Sequence, residues 1–399
     1  MRMKLLMCGA LFFFVLISEN SSAQDRSQYP KALKNSYFGV NVGHINYPFS
    51  SLQLEPGYQV KNIVVPHTGI RLVLFGHEFN KNLSAQITYM RPALWVRYKN
   101  VNGDEGNHSV WMNVGGLTLK GTLPVSKKLS AYGEAGLGII TRSGFEKDGN
   151  TVVSSANYST VLLGGGVQFR PNKNWDFILS AAYSPRDAKT RQPHTMFVGA
   201  GFNYTMRTLP DERLKEVKAA GYKFPKKNMI QVGYSTLGLG HGINDFVAEG
   251  KIPIFWGGRV WVDRGISVYY QRNIFHTKKV FALDWGTSVG FWRTEKNKEN
   301  FFTLSAYPVL RWTLLRTKPT DFYFYYSVAG PTYISRKVMD DIEIGRHFTF
   351  QDLMGIGIFT GKDRQINAEI KIGHFSNGNI FPVNRGVGVP LTFKAGYTF

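Results

Sequence analysis

The 399-residue chain contains a single cysteine, Cys8. No intramolecular disulfide and no multi-thiolate metal site can form from it. Long apolar runs are equally scarce. Beyond the first 18 positions no stretch reaches the roughly 20 residues that a membrane-crossing helix needs, and mean hydropathy is −0.19. A polytopic helical membrane protein is therefore excluded. Acid is in short supply, with 27 Asp and Glu against 48 Lys and Arg, for a formal charge of +21. That excess favours anionic partners (nucleic acid, phosphate-bearing lipid or a charged surface) without choosing among them. HExxH, Walker A and GxSxG motifs are all missing. Disorder does not fit a chain this rich in aromatic and β-branched residues.

The N-terminus narrows the choice. Arg2 and Lys4 form a charged head, Leu5 to Ile17 an apolar stretch, and Ser21-Ser22-Ala23 a small-residue cleavage site. Residues 1–23 thus read as a secretory signal, cut before Gln24. Cys8 lies inside the apolar stretch, where it cannot serve lipidation, and it leaves with the signal. Export removes nucleic acid as an expected partner.

The mature chain alternates at strand spacing between polar turns. Eight strands are expected near 37–46, 69–78, 82–98, 109–122, 129–142, 157–169, 174–184 and 194–206. The eighth shows the pattern: Met196, Val198, Ala200, Phe202, Tyr204 and Met206 share one face, and Gly199, Gly201, Asn203 and Thr205 the other. In the fifth, Tyr132 falls out of phase with the apolar face of Ala135, Leu137 and Ile139, which suggests a slip. Residues 207–227 are charged and bounded by Pro210 and Pro225, with a helical turn at most over 211–219, and read as a linker. Eight more strands follow near 228–239, 258–272, 279–293, 301–315, 321–330, 346–360, 364–376 and 387–399. The expected organisation is a signal peptide (1–23), an N-terminal β-barrel (24–206), a linker (207–227) and a C-terminal β-barrel (228–399). One sixteen-stranded barrel is the competing geometry, and the charged, proline-bounded linker argues against it.

Two all-β architectures suit such strands: a soluble sandwich, or transmembrane barrels with apolar residues outward and polar or small ones inward. Three features favour antiparallel outer-membrane β-barrels. The strands run about 10–15 residues, enough to cross a tilted apolar band of roughly 25 Å. Aromatics cluster as interfacial girdles do: Trp256, Trp261, Tyr269, Tyr270 and Phe275, then Phe322 to Tyr326. Finally, Leu391, Phe393, Ala395, Tyr397 and Phe399 share one face of the last strand. A terminal aromatic of this kind resembles the signal read by the barrel-assembly machinery, an expected partner through Phe399.

One segment carries chemistry. In Ile366–Asn379 the residues Ile366, Ala368, Ile370 and Ile372 form an apolar face, and Asn367, Glu369, Lys371 and Gly373 a polar or small one. Continuing the apolar face places His374 and Ser376 outward, side by side, with about 6–7 Å between their Cβ atoms. An imidazole beside a hydroxyl is what a serine nucleophile requires. A polar strand end at the headgroup level is the plainer reading of the same residues.

Residues 228–399 resemble the lipid A 3-O-deacylase (PagL) family of eight-stranded outer-membrane barrels. The resemblance rests on Phe348-Thr349-Phe350-Gln351-Asp352, Gly355-Ile356-Gly357, His374-Phe375-Ser376-Asn377 and Asn384-Arg385-Gly386, in that order before a C-terminal strand. It implies His374 as base and Ser376 as nucleophile on the lipid-facing exterior, with Asn377 and Asn384 at the oxyanion. It also implies removal of an acyl chain from lipid A, the phosphates of lipopolysaccharide accounting for the positive charge. No cofactor and no metal are expected, and the outer membrane of a bacterium is the expected location.

The family carries a Glu a few residues after the N-x-G. Here Val387-Gly388-Val389-Pro390 offers no acid. Glu369 lies on the opposite face by parity, and Asp284 and Asp352 have no clear outward placement. The third member is therefore missing or supplied unconventionally, and a non-catalytic structural or binding barrel is the alternative. The N-terminal half shows no such constellation. His44, His67, His77, His108 and His194 are scattered without ligand spacing, and the half resembles small outer-membrane barrel proteins.

Overall fold

The computed structural model describes residues 26–247 and 258–399. The expected signal peptide, Cys8 and Trp256 lie outside them. The described residues form two closed antiparallel barrels of eight strands each, as the alternation predicts.

The first barrel consists of β1 (Ser36–Asn46), β2 (Thr68–Glu78), β3 (Leu83–Pro92), β4 (Asp104–Pro124), β5 (Leu129–Ser143), β6 (Ala156–Phe169), β7 (Trp175–Ser184) and β8 (Thr195–Thr205). The ring closes through β8 on β1, and its chain order is kept except that β3 pairs directly with β4 across an excursion. The expected strand 82–98 breaks in that excursion. Pro92, which has no N–H for the ladder, ends β3. Val96–Val101 then pairs with the first part of β4 and with Val60–Val64, extending the sheet beyond the ring. No slip occurs in β5, whose pairing with both neighbours is continuous. Tyr132 simply points inward, under Lys120 Nζ at 4.0 Å from its ring.

A helix, α1 (Asp211–Ala219), occupies the expected linker. The second barrel comprises β9 (Asn228–Thr236), β10 (Val260–His276), β11 (Phe281–Thr294), β12 (Asn300–Arg316), β13 (Thr320–Ile334), β14 (Phe348–Thr360), β15 (Ile366–Ser376) and β16 (Val387–Thr398). Its strands pair in chain order and β16 closes on β9. Residues 26–32 group with this barrel. There Arg26 Nη1 donates to the Pro225 carbonyl at 3.1 Å, and Tyr29 stacks on Phe275 at 4.5 Å. A short helix, α2 (Gly242–Phe246), follows β9, and Asn244 Nδ2 donates to the Val389 carbonyl at 3.1 Å.

Both barrels are inverted relative to a soluble fold. Outward positions carry exposed apolar side chains: Leu117, Leu137, Val161 and Leu179 on the first wall, and Val232, Ile266, Phe291 and Ile370 on the second. The interiors bury charged and polar side chains alongside aromatic and aliphatic ones, and several of the charges are paired. Arg71 meets Glu134 at 2.6 Å in the first barrel. In the second, Lys394 meets Glu369 at 2.6 Å and Arg311 meets Asp284 at 3.0 Å. This arrangement is stable only where hydrocarbon, not water, surrounds the wall. No described helix is long and apolar enough to cross a membrane; barrels cross with strands.

The aromatic girdle expected from Tyr269 and from Phe322 to Tyr326 is only partly present. Tyr269, Tyr323 and Tyr325 are buried in the lumen, while Phe322 is exposed on the wall. A run of consecutive aromatics must divide between two faces, and an eight-stranded lumen has to be filled by side chains.

Candidate active site

The site is built on β14 and β15, at the end of the barrel away from the paired chain ends Asn228 and Phe399. Alternation along β15 sends Asn367, Glu369 and Lys371 into the lumen. Glu369 there accepts from Tyr323 Oη at 2.6 Å as well as pairing with Lys394. It is committed to the interior, as its parity predicts. Ile366 and Ile370 face out, and His374 and Ser376 continue that face. His374 is buried and Ser376 half-buried.

A carboxylate lies beside His374 on the adjacent strand. Asp352 is the direct cross-strand partner of His374, just as Phe350 is that of Ser376. On β14 the outward side chains are Phe348, Phe350, Asp352, Met354, Ile356 and Ile358, so Asp352 interrupts an apolar row. Its Oδ2 lies 3.6 Å from His374 Nδ1. That is within ion-pair distance and slightly beyond a direct hydrogen bond. Asp284 is excluded from this role, being held in the lumen by Arg311.

A β-bulge fixes Asp352. Between β13 and β14 the register shifts from Ser327 opposite Leu353 to Gly330 opposite Gln351, so Val328 and Ala329 together face Asp352. Ala329 takes φ +55°, uncommon for a residue with a side chain. The distortion presents its backbone N–H to Asp352 Oδ1 at 2.7 Å. One carboxylate oxygen is thereby anchored and the other is left toward the imidazole. Bulges re-aim side chains next to functional sites in just this way.

The loop after β15 organises the second group of residues. Gly378 and Asn379 both have φ of +60°, which reverses the chain sharply after Asn377. The Asn377 backbone N–H donates to Asn384 Oδ1 at 2.8 Å. That bond assigns the Asn384 amide and leaves its NH2 as the donor end of the side chain. Arg385 and Gly386 are tied to the start of β10, Arg259 N donating to the Arg385 carbonyl at 2.8 Å. All four residues singled out from sequence, His374, Ser376, Asn377 and Asn384, therefore lie along one strand end and its loop. Asp352, which the sequence offers as an acid without a clear outward placement, is set beside His374 by the strand register.

Two polar-filled barrels with apolar walls define the chain as a β-barrel protein of the bacterial outer membrane. A model of the outer membrane protein beta-barrel domain matches residues 10–205. The second barrel is similar to the lipid A 3-O-deacylase (PagL) family, whose model matches residues 264–389 and so spans every residue of the site described above. Among solved structures, the outer membrane enzyme PagL aligns with 43% of this chain and 99% of its own, at 12% identity and a TM-score of 0.31. The attachment invasion locus protein Ail of Yersinia pestis aligns with 43% and 99%, at 19% identity and 0.28. Neisserial surface protein A aligns with 43% and 97%, at 14% identity and 0.28. Scores of this size carry no argument about fold or chemistry. No curated protein sequence matches the chain significantly.

Proposed function

We propose that the second barrel is an acyl-ester hydrolase that removes an acyl chain from lipid A within lipopolysaccharide. The observation that carries this reading is the outward cross-strand pair of His374 and Asp352, with Ser376 two residues further along the same face. Asp352 faces Nδ1, so Nε2 is the nitrogen that takes the proton from the Ser376 hydroxyl as its oxygen attacks the ester carbonyl. The Asn384 amide, together with Asn377, supplies donors for the oxyanion of the tetrahedral intermediate. Collapse expels the sugar alkoxide, which receives the proton from His374, and an acyl-Ser376 ester remains. Water then repeats the sequence, with His374 again as base, and releases the fatty acid.

A substrate already embedded in the leaflet suits a wall-facing site, because its ester lies beside the strand ends and its chains stay in hydrocarbon. The test is mass spectrometry of lipid A after incubation with the purified chain. Wild type is expected to yield lipid A lighter by one acyl group. His374→Ala and Ser376→Ala are each expected to yield none while still migrating as folded barrels. Full activity in both variants would remove this site from the reaction and leave a non-catalytic barrel.

A further inference from the structure

A second feature of the same barrel is carried by other strands. Around the ring, β11 stands four strands from β15 in either direction. At the end where the candidate active site lies, four outward residues fall in register across four neighbouring strands. Thr236 of β9 is opposite Arg264 of β10, Arg264 is opposite Arg293 of β11, and Arg293 is opposite Asn300 of β12. Two residues nearer the middle of the wall the corresponding row is Tyr234, Ile266, Phe291 and Phe302. All of these residues except Thr236 line a groove of about 540 Å3.

Two arginines directly opposite each other on an antiparallel pair repel, at a separation where like charges destabilise a sheet. Little nearby offsets them. Asp263 Oδ2 lies 3.9 Å from Arg264 Nε, but it is also 3.3 Å from Lys298 Nζ, so one carboxylate serves two cations. No carboxylate among the described residues pairs with Arg293. The polar row is thus rich in hydrogen-bond donors and positive charge, and it sits immediately above an apolar row on a hydrocarbon-facing wall. Guanidinium pairs bind phosphate oxygens through paired N–H groups, and the aromatic row beneath accepts acyl chains.

We propose that this groove is a non-catalytic binding site for a phosphorylated, acylated lipid of the outer leaflet, of the lipid A class. Its phosphate bridges Arg264 and Arg293, and its chains lie along Ile266, Phe291 and Phe302. The site does not depend on hydrolysis at Ser376, and it explains why two arginines with so little carboxylate to offset them are tolerated in register.

The test uses the full chain carrying Ser376→Ala, so that no ligand is consumed, titrated in detergent with bisphosphorylated or with dephosphorylated lipid A and read by native mass spectrometry. The bisphosphorylated form is expected to bind at least ten-fold more tightly. The double variant Arg264→Ala/Arg293→Ala is expected to lose that preference. Lys278→Ala/Lys279→Ala, which removes equal charge from the opposite end of the barrel, is expected to keep it. Equal binding of both lipids by the parent, or an unchanged preference in the arginine variant, overturns the proposal. A measurement that needs no arginine variant is the thermal unfolding of the Ser376→Ala chain with each lipid, where identical midpoints also overturn it.

Discussion

Each barrel places a serine near a histidine on its sheet, and the two pairs have little else in common. In the first barrel Ser36 Oγ lies 3.0 Å from His77 Nδ1, across paired strands. Ser36 is fully buried, and it sits at the end of the barrel where its own chain ends meet. No carboxylate among the described residues lies within ion-pair distance of the His77 ring. In the second barrel Ser376 and His374 share one strand, face the wall, and have Asp352 beside the imidazole. A short Ser–His hydrogen bond is therefore not in itself a sign of catalysis. The second pair differs in having a half-exposed hydroxyl and a carboxylate beside the imidazole, the features on which the proposed hydrolysis relies.

The comparison can be broken most directly by paired variants. Ser376→Ala is expected to lower the deacylation rate by on the order of 10^3-fold or more, whereas Ser36→Ala leaves it unchanged. Mass spectrometry of lipid A reads both. Asp352→Asn keeps an oxygen for the Ala329 N–H but loses the charge that orients His374. It is expected to reduce kcat by on the order of 10^2 to 10^4-fold with little change in KM, in a steady-state assay on dispersed lipopolysaccharide. Glu369→Gln strands Lys394 in the lumen, and Glu134→Gln strands Arg71 in the other barrel. Each is expected to cost about 3–5 kcal/mol of stability, measured by urea unfolding in lipid vesicles, and the Glu369 variant should retain activity per folded molecule.

The smallest effect concerns a loop of the second barrel. Asn297 and Lys296 hydrogen-bond Asp341 and hold its carboxyl below the usual range. A depressed folded pKa means that these contacts favour the folded loop above the ordinary aspartate range and fade as pH falls through the lowered value. Carbon-detected NMR titration should show the Asp341 pKa rising toward the ordinary range in Asn297→Ala, with Lys296 still holding it partly down.

Much of this was legible before any coordinates. Period-two alternation set the strands to within a few residues because a barrel wall imposes one polarity on each face. It failed where that rule lapses. The break after Pro92 lies where the sheet leaves the ring, and Tyr269, Tyr323 and Tyr325 fill the lumen instead of marking the interface. His374 and Ser376 were readable because they continue an apolar face. Asp352 was readable in principle, as a lone carboxylate in the row Phe348, Phe350, Met354, Ile356. Its pairing with His374 follows once Thr360 is set opposite Ile366 at the hairpin. The bulge at Ala329 was not readable. It depends on two neighbouring strands differing in length between shared contacts, a quantity that no single strand records.

The outward aim of these side chains has a kinetic consequence. A site on the barrel wall is reached by lateral diffusion within one leaflet, so its working variable is the mole fraction of ligand in that leaflet rather than a concentration in solution. Adding inert lipid or detergent would then slow turnover at constant total substrate. Under the proposed function, the barrel would behave as a sensor of surface composition, saturating when its immediate annulus is filled and idling when it is diluted.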